Sequence, residues 1–173
     1  ENSFRRRGGQ TSRFFFMATA VDICNLALGM LGDSGDVTSI TPPDGSPQAG
    51  HCARWYPLAL RKLYEEHDWS FAIRRSRGVE LSNVDEDLYE WKHGFLLPSD
   101  CVRLLRVSEV GKEGLPLDFE VELYESNSGR AVFTNSKSVV LTYVSYVDTA
   151  TVFPTYFVQA LVILLASFLI FLY

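Results

Sequence analysis

Residues 46–73 read SPQAGHCARWYPLALRKLYEEHDWSFAI, and within them the hydrophobic period changes once. Ser46 is a helix cap and Pro47 stands at the first helical position, where a missing N–H costs nothing. Cys52, Trp55, Tyr56, Ala59, Leu60 and Leu63 then follow in steps of three and four. That spacing lays one apolar stripe along a helix reaching about His67, with Arg54, Arg61, Lys62, Glu65 and Glu66 in water. Pro57 removes one ladder hydrogen bond, which predicts a kink or break near Ala53. After Trp69 the period falls to two, because Trp69, Phe71 and Ile73 alternate with other residues, the pattern of a strand.

The same two periods sort the rest of the chain. Upstream, Thr19 with Asp22 three residues on forms a capping box, Ile23, Leu26, Ala27, Met30 and Leu31 repeat at helical spacing, and Gly32 supplies a left-handed stop. A first helix over 20–31 follows. Residues 32–45, GDSGDVTSITPPDG, are a loop by composition. Downstream, Val79 with Leu81, residues 95–97 and residues 104–110 are strand candidates, and 83–87 is an acidic turn. Residues 117–146 hold two or three antiparallel strands: Phe119, Val121 and Leu123 alternate, a turn falls at Asn127-Ser128-Gly129, and Val132, Phe133 and residues 139–146 follow. The expected class is α+β: an amino-terminal helical bundle part, an antiparallel β-rich middle and a carboxyl-terminal apolar helix.

That last segment, residues 156–173, carries no charge. Its length is enough to cross a bilayer, but no basic cluster flanks it and the nearest preceding lysine is Lys137. The other reading is a helix buried on all sides in a core or between subunits. A membrane protein anchored by this helix therefore stands beside a soluble assembly as an alternative.

At 173 residues and 19.5 kDa, with 47% hydrophobic and 21% charged residues, the chain is long enough for one real core and too apolar to be disordered. Its net charge is −5, unevenly spread. Residues 1–16 hold Arg5, Arg6, Arg7 and Arg13 against Glu1, so from Met17 onward 12 basic residues face 20 acidic ones. Met17 reads as a native start, preceded by an expression remnant or an upstream extension; as an extension, residues 1–16 form an arm that must bury Phe14, Phe15 and Phe16 on a neighbour. The acidic body excludes a sequence-reading nucleic-acid binder but not a wall past which DNA slides.

Catalytic signatures are missing from the sequence. His51, His67 and His93 are dispersed, no serine sits in a G-x-S-x-G elbow, and neither GxxxxGK[ST] nor GxGxxG occurs. Cys24, Cys52 and Cys101 lack ligand spacing, point to a reducing compartment, and read as small core residues for Cys24 and Cys52. The expectation is a protein that is not an enzyme and holds no metal or cofactor. Arg74, Arg75 and Arg77 read either as a solvated edge that discourages strand pairing or as a docking patch for acidic residues on a like subunit. Trp69 and Phe71 read as core.

Three motifs in order, N-x-x-L-x-x-x-G at 25–32, W-x-F-A at 69–72 and L-P-x-D-C-x-R at 97–103, lie among Cys52 to Leu63, Tyr143-Val144 and Phe153-Pro154 with Phe157, Ala160 and Leu161. Over residues 17–167 this series resembles the head-to-tail adaptor proteins of short-tailed bacteriophages, the tail tubular protein A type. The resemblance implies a structural virion protein, made in the host cytoplasm and placed at the head-tail junction. There a dodecameric ring would join the portal protein to the tail nozzle or tube protein and continue the DNA channel, passing DNA without sequence-specific binding and taking no small-molecule substrate. It further implies a helical bundle around the ring, a projecting β-rich part and a carboxyl-terminal segment reaching the portal. On this reading residues 1–16 are an arm, 17–155 the adaptor body and 156–173 a helix packing on neighbouring subunits. Arg74, Arg75, Arg77, Phe157, Leu161, Leu164 and Phe168 are the expected subunit or portal contacts. This sequence departs from the family in ending its apolar helix at Phe168-Leu169-Ile170-Phe171-Leu172-Tyr173, where family members continue with more helix and polar residues.

Overall fold

A computed structural model of the chain describes residues 18–34, 36–82, 84, 90–112, 115–124 and 129–172. The arm at 1–16, most of the acidic turn at 83–87 and the first two residues of the turn at 127–129 lie outside these.

Helix α1 spans Ala20–Met30, and its start is the capping box: the Thr19 hydroxyl accepts from the Asp22 N–H, while the Asp22 carboxylate accepts from the Thr19 N–H at 2.8 Å. Gly32, at φ 81°, makes the left-handed exit. The loop that follows is pinned by Asn25, whose side-chain amide donates to the Val37 carbonyl and accepts from its N–H, both at 2.9 Å. Helix α2 spans Pro47–Glu66, capped by Ser46, and runs through Pro57 as one helix instead of breaking near Ala53. Pro57 faces solvent, and Cys52, Tyr56, Ala59, Leu60, Leu63 and Tyr64 are buried on either side of it, so packing holds the helix across the missing bond.

Two acidic groups support these helix starts. Asp44 accepts from the N–H of Thr38 at 2.7 Å and of Ser46 at 2.9 Å and from both hydroxyls, which holds its carboxyl well below the usual carboxylate range. The Thr19 N–H and hydroxyl lower Asp22 in the same direction. Groups whose folded pKa is depressed contribute stability that is present above the unfolded value, near 3.9, and lost as pH falls through the folded one. The melting temperature is therefore expected to drop below about pH 4, with a shallower slope in Asp44→Asn; identical slopes by calorimetry would show that Asp44 contributes nothing.

The alternation at Trp69 and Phe71 is not a strand. Ser70–Ala72 form a single 3₁₀ turn that drives Trp69 and Phe71 into an aromatic cluster and buries Ala72. Strands follow: β1 Ile73–Arg77, β2 Val79–Glu80, β3 His93–Leu96, β4 Cys101–Glu109, β5 Glu120–Leu123, β6 Arg130–Thr134 and β7 Val139–Ser145. They form two antiparallel sheets, ordered β1-β7-β4 and β2-β3-β6-β5. The chain passes from the edge of the first sheet to that of the second at Gly78. Phe95, Val107, Val132, Val139 and Leu141 make a core the two sheets share.

Helix α3, Thr155–Leu169, corrects the expected arrangement of a helical front, a β-rich middle and a separate apolar helix. It packs against α1 and α2 of its own chain, so one helical layer is assembled from segments on both sides of the β strands. Phe157, Leu161, Leu165 and Leu169 lie on the buried side of α3 and share a core with Ile23, Ala27 and Leu28 of α1 and Leu60 and Tyr64 of α2. These are the apolar stripes that the two earlier helices otherwise leave unmatched, and burying them together removes the surface that made α3 look like an anchor. At 15 residues, about 22 Å, α3 is also shorter than a hydrocarbon layer of about 30 Å. Among the described residues no helix is long and apolar enough to cross a membrane.

Candidate interaction surface

Among the described residues strand β1 ends its sheet, hydrogen-bonding to β7 alone, with Arg75 opposite Thr142 and Arg77 opposite Val140. Because side chains alternate, Arg75 and Arg77 share one face of the sheet. Arg106 of β4 lies opposite Thr142 from the other side, and Arg75, Thr142 and Arg106 line a shallow depression with Ser108 and Val140. Among the described residues none of Arg75, Arg77 and Arg106 forms an ion pair. Three free guanidinium groups on an otherwise acidic body are a surface suited to anionic partners.

Arg74 points to the opposite face and approaches the Asp100 carboxylate at 3.7 Å. Asp100 also accepts from the Ser145 hydroxyl at 2.7 Å and the Tyr143 phenol at 3.3 Å. Burial, then the Asp100 charge, pushes the Tyr143 hydroxyl up. Arg103 pairs with Asp68, so the L-P-x-D-C-x-R segment is tied to the residue that precedes W-x-F-A. Two motifs far apart in sequence thus serve one structural joint.

Beside this edge an open groove of about 790 Å³ runs over the second sheet, with Val79, Leu96, Leu97 and Leu123 along it and Arg77 and Arg130 at its rim. It is mostly apolar and brings no nucleophile near a base. His93 Nδ1 lies 2.8 Å from Glu80, outside the groove, His67 packs edge-on against Trp69, and His51 sits near the start of α2. The three histidines do not converge. Among the described residues no cluster of three metal-ligating side chains occurs.

The other expected contact residues are on α3. Phe157 and Leu161 are fully buried within the chain, and Leu164 and Phe168 are half-buried against it, the Phe168 ring 5.6 Å from Trp55. The exposed large apolar residues here are instead Tyr156 and Ile163 of α3 and Ile170 just past its end. Their spacing of seven in the sequence marks a shared face, but only the placement of α1 and α2 decides which face is outward. Cys24, Cys52 and Cys101 are free and buried. A hydrogen bond to Cys52 and burial push the Cys24 thiol up. All three thiols are expected to react with a thiol reagent only on unfolding; rapid labelling of Cys24 in the native protein would contradict this packing.

No family model matches the chain, and no curated protein matches it significantly.

Proposed function

We propose that this chain is a structural virion protein, without catalysis, that forms a ring beneath the portal, joins the capsid to the tail and continues the DNA channel. The observation that carries this reading is the basic edge strand β1, whose Arg75 and Arg77 are exposed and without an acidic partner among the described residues, on a body whose net charge is negative. Such a surface calls for an acidic protein neighbour, and further copies of the chain offer one. The ordered motifs at 25–32, 69–72 and 97–103 support the adaptor class in particular. The acidic body fits a channel wall that DNA passes without being held, since like charge weakens phosphate contact. Portal protein on one side, tail nozzle or tube protein on the other, and a dodecamer of like copies around the ring are the partners that the resemblance implies for this role.

Electron microscopy of the chain mixed with portal protein tests the reading. The expected result is a ring of additional density coaxial with the portal. Absence of any association with portal, by imaging and by gel filtration across salt and concentration, removes it.

A further inference from the structure

We propose that copies of this chain join head to tail by adding strand β5 of one copy to strand β1 of the next, a pairing selected by charge. This rests on the ring reading above and names the contact that would build the ring.

A sheet edge displays unpaired N–H and C=O groups and recruits another strand unless something covers it. Each sheet here has two ends. The outer side of β4 is taken by its own chain, since Leu117 N–H donates to the Val107 carbonyl at 2.9 Å and Ser108 bridges Pro116. Strand β2 is two residues long. Among the described residues the remaining open ends are β1, reading IRRSR, and β5, reading EVEL, which is exposed at all four positions. Val121 and Leu123 are 41% and 75% exposed, so β5 puts apolar side chains in water as well as an open edge.

The charges on the two edges are opposite and equally spaced. Arg75 and Arg77 stand two apart on one face of β1; Glu120 and Glu122 stand two apart on one face of β5. None of the four forms an ion pair among the described residues, although the Trp91 indole N–H donates to Glu120 at 2.9 Å. Pairing β1 with β1, or β5 with β5, sets like charges opposite each other, which is unfavourable in a ladder. Pairing β1 with β5 sets two arginines against two glutamates whether the strands run parallel or antiparallel. The edges therefore disfavour a two-fold dimer and favour a contact between two different surfaces. Contacts of that kind propagate from copy to copy, and a closed ring is their finite form. With only four or five residues per strand each joint is weak, and closure multiplies it.

The test uses two variants of the full chain, R75E/R77E, acidic at both edges, and E120R/E122R, basic at both. All four positions are exposed, and thermal melts verify that the variants fold. In sedimentation velocity over a concentration series the wild type is expected to self-associate, each variant alone to associate at least about tenfold more weakly, and their equimolar mixture to recover association. A wild type that stays monomeric, folded variants that associate like it, or a mixture no better than its parts would each overturn strand pairing. The ring reading is judged separately on the portal: rings that form there equally well from either variant alone remove the strand contact and leave the adaptor role standing.

Discussion

Phe157→Ala is expected to cost about 3–5 kcal/mol of folding stability, the range for removing a large aromatic from a packed core. Phe157 is fully buried and is the hub of the aromatic cluster that joins α2, the 3₁₀ turn and α3. Its ring lies 5.2 Å from Tyr64 in a stacked arrangement, 4.9 Å from both Trp69 and Phe71, and 4.8 Å from Phe153. Truncation would remove four ring contacts, each worth about 0.5–1.5 kcal/mol beyond burial, and leave a cavity whose rigid walls collapse poorly. Since each kcal/mol moves the midpoint of a domain of this size by about 2–4 °C, the melting temperature should fall by roughly 6–20 °C. Thermal and denaturant unfolding of the dilute protein measure this. If Phe157 served a neighbouring subunit instead, the isolated chain would melt unchanged and only assembly would suffer.

Gly78→Val should be nearly as damaging, at about 3 kcal/mol, with Gly78→Ala costing about 1–3 kcal/mol. Gly78 occupies the step between β1 and β2, and its N–H donates to the Val139 carbonyl at 2.9 Å. A Cβ there would stand 2.6 Å from Val139 Cγ2 and 2.8 Å from Phe95 Cδ1. Both neighbours are buried, at 1% exposure each, inside the core shared by the sheets, so neither can retreat without disturbing it. Branched methyl groups enlarge the clash. The measurement is again the unfolding midpoint, and a Gly78→Val protein as stable as wild type would mean that the two sheets separate more easily than this packing allows.

What the sequence made legible was local. The capping box at Thr19 and Asp22, the Gly32 exit and the Ser46-Pro47 start were readable because each involves residues three or four apart. The structure continues α2 past Pro57 because tertiary packing outweighs a single lost hydrogen bond. The alternation of Trp69, Phe71 and Ile73 misread a 3₁₀ turn, since period two over three apolar positions cannot tell a strand from a turn that sends two rings into one cluster. The partner of α3 was hidden altogether: its uncharged face is compatible with lipid, a neighbour or its own chain, and the choice depends on α1, more than a hundred residues upstream. At the candidate surface, Arg74, Arg75 and Arg77 were visible as an edge, but the alternation that turns Arg74 toward Asp100 and leaves the other two free needs the register with β7. Arg106, Glu120 and Glu122 gave no signal, because nothing in their neighbours says that β4 flanks Thr142 or that β5 closes its sheet.

The way α3 completes the helical layer also sets an order of events during synthesis. Strands β1 and β4 wait for β7, the last strand made, so the first sheet closes only once residues 139–145 are available. Helices α1 and α2 emerge earlier still, yet their apolar stripes have no lasting cover until residues 155–169 are translated. Until α3 follows, the nascent polypeptide therefore carries an unfinished greasy cleft, and long-range closure of that kind is slow and exposed to misassociation. A chaperone that shields the first two helices would act in that interval.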